Sequence, residues 1–463
     1  MKQRKRSYKW IAIMGTLVVL IALVAGIVAY HNFFRQTNAD LIEVVPADKV
    51  AFIFQIYDNE GFVKSSTNLR PSLNQLFAME SLAGFEAIIE QIKTQNMPVL
   101  MAGLQMDEQL KLLYGAKLDN LQFRQLLQTL QIDNRNYEKW QDSRIYSYAT
   151  HLKKFNFTFF HNALILSDDI EVVKAAVNQF RSPINLLANK EFRNLYQLVD
   201  KNRRQNWLLL QHPRFASILS TQSDSIWQPA WYQLNKIAQW SAFQLRMNDN
   251  EMHLSGYCSA ESPFFQHYKT YPATTEDFSD HLPMDCYHYT AHFAPQTSIF
   301  TDSAFYQNMW HNLCPKALYT FTLSNSDSIT CYTLLKTDTT QNPISKIISD
   351  TVSDMFYHKN HPVYKTNCTA ITKDGKQLIF YMTIHKDSYI FAESPNALKR
   401  YLDRIIADKT LINSNFYKYV HNHLPSERCF EFSGQNIACA QLLTLTFASP
   451  NHNFIPITIY ARF

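Results

Sequence analysis

Two stretches of this chain, nearly half its length apart, carry the same pattern of residues, and any fold must build that pattern twice. The first runs from Phe155 to Gln211 and the second from Phe380 to Gln435. In the first, the apolar runs Phe155–Phe160 and Ala163–Leu166 flank His161-Asn162. In the second, Phe380–His385 and Ser388–Phe391 flank Lys386-Asp387. Asn and Asp accept the left-handed backbone of a tight turn, so each pair reads as a β-hairpin. A helix follows, opened by Asp168 or Asp169 in one copy and by Ser394 with Pro395 in the other. Its apolar positions superpose without a gap: Val172, Val173, Ala176, Val177 and Phe180 against Ala397, Leu398, Tyr401, Leu402 and Ile405. That spacing lays them on one helical face, as for a helix packed on a sheet. Leu187-x-Asn189-x-x-Phe192 then matches Leu411-x-Asn413-x-x-Phe416, each opening a second helix with Asn as candidate cap. The strands Trp207–Leu210 and Cys429–Phe432 follow.

The repeat extends beyond this cassette. Val45-Pro46-Ala47-Asp48 leads into the apolar strand Val50–Ile56, and Leu282-Pro283-Met284-Asp285 leads into Cys286–Phe293. Between opening strand and cassette, the spacing predicts a helix within residues 62–95, strands over 98–105 and 111–118, and a helix over 123–130. The second half offers 317–323, 329–335 and 344–356 as counterparts of the last three. Each half closes on a hairpin, 240–247 with 251–256 and 442–447 with 454–460. The first copy holds extra residues between His212 and Gln239, which include Trp227 and Trp231, with Trp240 just after.

Trp10 to Tyr30 contains no charge. Twenty-one residues at helical rise span roughly 30 Å, the thickness of a bilayer core. Aromatic rings stand at both ends, with Tyr8 and Trp10 on one side and Tyr30, Phe33 and Phe34 on the other. Lys2, Arg4, Lys5, Arg6 and Lys9 precede the run and only Arg35 follows closely, so the positive-inside rule keeps the N-terminus in the cytoplasm. The competing reading is a cleaved signal peptide ending near Ala25, whose apolar region would ordinarily be shorter. The expected fold is therefore α+β: a single N-terminal transmembrane helix followed by two homologous tandem α+β lobes with mainly antiparallel sheets. The segments are a cytoplasmic basic tail (1–9), the membrane helix (10–30), a first lobe (41–260), a linker (261–281) and a second lobe (282–463).

Five of the 44 basic residues precede Trp10, which leaves 39 basic against 39 acidic. The exported part is neutral, which argues against a nucleic-acid partner. Seven cysteines all lie between Cys258 and Cys439, in a compartment that permits disulfides. An odd number without a CxxC favours small buried thiols, with one bridge in the second lobe as the alternative.

The basic tail, the single membrane helix, the x-Pro-Ala-Asp opening strand, the paired cassettes and the Trp240-led hairpin ending Leu254-Ser-Gly256-Tyr carry a resemblance. Together they resemble a family of uncharacterised membrane-anchored envelope proteins of Bacteroidota, known as a domain of unknown function. The resemblance implies anchoring and export, and it supplies no activity. The second closing hairpin, Ile455-Pro-Ile-Thr-Ile459, departs from it by lacking the Gly-Tyr of the first.

Candidate chemistry is sparse. Seven glycines remain outside the apolar run, too scattered for a phosphate cradle, and HExxH and GxSxG are absent. His281, Cys286, His288 and His292 are ligand types for zinc, and strand alternation places the last three on one face. His288 and His292 would stand about 13 Å apart on a flat strand, too far to share one ion. Trp227 and Trp231 share a face if helical and, with Trp240, form a candidate binding platform. Five Asp-Ser/Thr-apolar tripeptides, at Asp224, Asp302, Asp327, Asp338 and Asp350, resemble the O-glycosylation signal of Bacteroidota envelope proteins. No cofactor is expected. The pattern favours a non-catalytic periplasmic scaffold or binding module, held at the inner membrane by its helix, with an envelope protein or glycan polymer as partner. Two alternatives are a cell-envelope hydrolase or transferase with a site between the lobes, and a carrier of apolar ligands.

Overall fold

The computed structural model describes residues 40–58, 61–62, 69, 98–107, 109–149, 154–201, 205–222, 237–248, 250–259, 265, 279–293, 316–325, 328–336, 352–371, 377–437, 440–448 and 454–463. The apolar run 10–30, all but Phe62 and Leu69 of the helix expected within 62–95, Trp227 and Trp231 lie outside them. Among the described residues no helix is long and apolar enough to cross a membrane. The architecture is α+β with mainly antiparallel pairing. Contacts gather the chain into two compact units, one of residues 1–59 and 80–190, the other of 60–79 and 191–463. Residues 191–259, expected in the first lobe, thus gather with the second unit.

The first unit is a sheet with helices. Its strands are β1 (Val50–Ile56), β2 (Val99–Met106), β3 (Gln109–Lys117), β4 (Glu138–Trp140), β5 (Ser143–Ala149), β6 (Lys154–Phe160) and β7 (Ala163–Ser167). They pair antiparallel in the order β1-β2-β3-β7-β6-β5-β4. Helix α1 (Asn120–Thr129) begins at a capping box, in which Asp119 and Gln122 each satisfy the other's backbone N–H. The β6–β7 turn is His161-Asn162, both at positive φ (49° and 60°), as its sequence requires. Helix α2 (Ile170–Arg181) is capped by Asp169, whose Oδ1 accepts the Glu171 N–H at 2.9 Å. It buries Val172, Val173, Ala176 and Val177.

The second unit opens with α3 (Lys190–Lys201), β8 (Trp207–Gln211), α4 (His212–Gln222), β9 (Trp240–Met247) and β10 (Glu251–Ser259). It continues with β11 (Cys286–His292), β12 (Ala317–Asn325), β13 (Ser328–Lys336), β14 (Val352–His358), β15 (His361–Ile371), β16 (Gln377–His385) and β17 (Ser388–Ala392). It ends with α5 (Pro395–Ile406), α6 (Asn415–His421), β18 (Phe430–Ile437), β19 (Ala440–Phe447) and β20 (Phe454–Arg462). Pairing is antiparallel throughout: β8-β9-β10-β20-β19-β18-β11-β12-β13-β17-β16-β15-β14. The two closing hairpins are joined here by β10 and β20, in register from Glu251↔Arg462 to Ser259↔Phe454.

Both cassettes fold into the same order of elements: hairpin, twelve-residue helix, 3-10 turn, helix, strand. The apolar stripe of α5 is buried as expected, at Ala397, Leu398, Tyr401, Leu402 and Ile405. Ser394 caps α5, accepting the Ala397 N–H at 3.2 Å. Two expectations are corrected. Ser414 caps α6, not Asn413; Asn413 lies in the preceding 3-10 turn, where Nδ2 donates to Asp408 O (3.0 Å) and Thr410 Oγ1 (3.2 Å). The segment 344–356, expected as the counterpart of α1, ends in strand β14. The Lys359-Asn360 turn, at φ 47° and 69°, folds Val352–His358 back onto β15, and ladder pairing overrides local helical spacing.

Candidate functional site

The strongest concentration of buried charge lies where β11, β18 and β19 are covered by α6. Strand β18 sits between β11 and β19, so its alternating side chains are buried on both faces. Phe430 and Phe432 take one face. Glu431 and Ser433 take the other and meet Tyr289 of β11, whose register partner is Ser433. The Tyr289 hydroxyl donates to Glu431 Oε1 at 2.5 Å. Arg428, just before β18, donates through Nη1 to Glu431 Oε2. Its Nη2 lies 3.0 Å from Nε2 of His421, the last residue of α6. A guanidinium only donates, so the imidazole nitrogen facing it is an acceptor. The Phe293 ring lies 5.7 Å from the guanidinium carbon.

Arg428 and Glu431 are each 2 % exposed. Burial is the largest single influence and works against the Arg428 charge, but Glu431 together with Tyr417, Tyr289 and Tyr319 holds the pKa above its ordinary value. Burial, then the neighbouring Glu431 charge, raises the Tyr289 hydroxyl well above its usual pKa. A buried ion pair of this kind rarely stabilises more than an apolar replacement would, although breaking it is costly. Beside the pair is a cavity of about 40 Å³, lined by Tyr289, Tyr417, His421, Glu431, Ser433 and Thr444 among others. It has space for a few waters.

The residues nominated from the sequence do not converge. A bulge between Cys286 and His288 breaks the alternation of β11. Cys286 therefore lines the Tyr289 cavity, and its thiol lies 3.1 Å from the His288 carbonyl. Burial raises the Cys286 thiol pKa. His288 Nδ1 pairs with Thr322 Oγ1 at 2.8 Å, and burial pushes its pKa down to about 4. His292 packs edge-on against Phe430 at 5.0 Å and is pushed down to about 3 by burial. His281 sits elsewhere, near Asp280 (3.4 Å), Asp387 (3.6 Å) and the ring of His385 (5.7 Å). Burial lowers its pKa, partly offset by the two carboxylates. Among the described residues no group of three or more His, Cys, Asp or Glu is placed to hold a metal ion.

Trp240 is 3 % exposed, packs on Phe192 at 4.7 Å, and its backbone N–H donates to Glu191 Oε1. It is a core residue of the second unit. Arg428, Glu431 and Tyr289 went unnoticed in the sequence, and the pair His421-x-His423 reads there as surface-loop histidines. For three of the four the signal was a difference between copies: Phe52, Gln197 and Trp207 stand at the positions matching Tyr289, His421 and Glu431, whereas Arg204 matches Arg428.

No protein-family model matches the chain, and no curated protein matches it. Among solved structures, crystal form III of TP0453 is similar at a TM-score of 0.23 and 8% identity, covering 77% of this chain and 93% of that one. Crystal form I of TP0453 is similar at a TM-score of 0.24 and 9% identity, covering 80% and 99%. Likenesses of this size carry no argument about fold or function.

Proposed function

We propose that this chain is a non-catalytic scaffold or binding module of the cell envelope, anchored in the inner membrane by residues 10–30 with its bulk in the periplasm. The observation that carries the reading is the closure of the polar cluster on itself. Arg428, Glu431 and Tyr289 bond one another in the core, with Arg428 Nε buried and without a hydrogen-bond partner among the described residues, and the adjoining cavity of about 40 Å³ admits water rather than substrate. The uncharged run Trp10–Tyr30 behind a basic tail supports the anchor. The shared order of elements in the two cassettes supports two homologous lobes in tandem. The neutral exported part suits an envelope protein or glycan polymer as partner and not a nucleic acid.

The test is crosslinking in native membranes followed by capture through a C-terminal tag. A specific envelope partner recovered with the full-length chain is the expected result. Recovery of nothing above an untagged control would remove the scaffold reading. Protease added to spheroplasts should digest the bulk of the chain, and protection of that bulk would overturn the orientation.

A further inference from the structure

The second unit gathers three imidazoles beside the β16–β17 turn. His281, just before β11, is 3 % exposed. Its Nε2 faces Asp280 Oδ1 at 3.4 Å and Asp387 Oδ1 at 3.6 Å, and its Nδ1 is buried without a hydrogen-bond partner among the described residues. The ring stands edge-on to that of His385, the last residue of β16, at 5.7 Å. His361, which opens β15, lies 6.2 Å from His385. Both carboxylates already hold a lysine: Lys386 donates to Asp280 at 2.5 Å, and Lys336 pairs with Asp387 at 3.4 Å. In the first unit Val44 and Phe160 stand at the positions matching His281 and His385; Val44 is fully buried and Phe160 packs on Phe180. Part of the charge recurs there, since Glu43 matches Asp280, Lys117 matches Lys336 and His161 matches Lys386. The imidazoles at the two apolar positions do not.

The rings bear on one segment, residues 279–284. The Tyr401 hydroxyl of α5 donates to the His281 carbonyl at 3.0 Å. Leu411 N–H donates to Leu282 O at 2.7 Å, Ile412 N–H to Ser279 O at 3.2 Å, and Met284 N–H to Lys409 O at 2.9 Å. A neutral His281 with its proton on Nε2 fits this place. Charging it would put a second N–H, at Nδ1, into the core with no acceptor among the described residues. A proton on His385 would then meet the first at short range. Fully charged, the cluster would set two lysines and three imidazoliums against two carboxylates. Burial pushes His385 down to about 4, with the charges of His281, Lys386 and His361 adding to it and Asp280 opposing. Burial lowers His281 as well, with Asp280 and Asp387 opposing and Lys386 and Lys336 adding.

We infer that His281, His385 and His361 form an acid-sensitive latch, which holds residues 279–284 on α5 and the 410–412 turn at neutral pH and releases them as the rings take up protons. A histidine in water takes its proton near pH 6.5, so a ring held neutral in the closed state favours closure above that value. The preference is lost as pH falls below it. At about pH 5.5, relative to about pH 7.5, His385 alone should favour the open state by roughly tenfold, and His281 adds to this. The matching corner of the first unit is built with Val44 and Phe160, so the rings are not a requirement of the fold. The latch stands apart from the scaffold reading and can fail separately from it, because capture of a partner does not depend on these histidines.

The test is hydrogen exchange read by mass spectrometry on the full-length chain in detergent, at about pH 7.5 and about pH 5.5, with protection referred to the intrinsic exchange rate at each pH. Peptides covering Met284 and Leu411–Ile412 should lose protection by roughly tenfold or more at the lower pH, while the β2–β3 ladder of the first unit keeps its own. His281→Val with His385→Phe installs the first-unit residues and should shrink that loss by roughly tenfold or more. This comparison separates the latch from a general weakening of the second unit by acid. If that pair does not fold, His385→Gln alone, at a half-buried position, decides on the same criterion. The inference is overturned if the parent keeps its protection at these peptides, or if the folded variant loses as much as the parent does.

Discussion

Replacing Arg428 with Met should be among the most damaging single changes in the second unit. The substitution leaves the Glu431 carboxylate, 2 % exposed, with the Tyr289 hydroxyl as its remaining described hydrogen-bond donor. Breaking a buried pair from one side typically costs about 3–5 kcal/mol, because the orphaned charge cannot return to water. Removing the whole cluster should cost far less. Tyr289→Phe, Arg428→Met and Glu431→Leu together leave no unpaired charge, and Phe is what the first copy carries at the Tyr289 position. Such apolar replacements are often neutral or stabilising by about 1–4 kcal/mol. The triple variant should therefore stand at least about 2 kcal/mol above the single one, a coupling that measures non-additivity directly. Urea denaturation of the full-length chain in detergent, followed by circular dichroism, reads both values at the transition of the second unit. A loss below about 1 kcal/mol for Arg428→Met would refute the reasoning, as would a triple variant no better than the single one.

Three further outcomes follow from the same physics. His288 and His292 are held neutral by burial, at about 4 and about 3. An unfolded histidine takes its proton near pH 6.5, so their stabilising contribution is complete above that value and is lost as pH falls toward 4. Between pH 7 and pH 5 each should cost about 2 kcal/mol, and His292→Phe should flatten the urea-midpoint profile across that window; an unchanged slope would count against it. Gly256→Ala should destabilise the β9–β10–β20 pairing by about 1–3 kcal/mol, since its Cβ would lie 1.9 Å from the Ala242 carbonyl oxygen. Gly115→Ala is the control, its nearest neighbour being Leu41 Cδ2 at 3.4 Å; equal losses at the two sites would remove the steric account. Ser394→Ala should cost about 1 kcal/mol through the lost α5 cap, and a midpoint shift indistinguishable from zero would contradict it.

Much of the fold was legible because its signals are local. The β6–β7 hairpin, the α2 and α5 stripes and the Ser394 cap each depend on residues within a few positions of one another. Segment 344–356 shows the limit of that logic: spacing alone suggested a helix, and a two-residue turn at Lys359-Asn360 pulled its end into a strand. The site was legible only in outline. The opening strand of the second half was singled out for its histidines, but these pack separately, and Tyr289, in the same strand and not nominated, is the residue that reaches the buried charge.

The sequence by itself determined the hairpin, capped helix and following strand of each cassette, because periodicity, capping and turn chemistry act over short distances. It also holds the differences between the two stretches at Tyr289, His421 and Glu431. Tertiary structure alone decided which of those differences meet. Pairing of β11 with β18 brings Tyr289 to Glu431 across 142 positions of chain. The bulge at Cys286 moves that thiol off the His288 face and onto the Tyr289 cavity. One residue of register reverses the face a side chain occupies, and register depends on the neighbouring strand, which no local pattern contains.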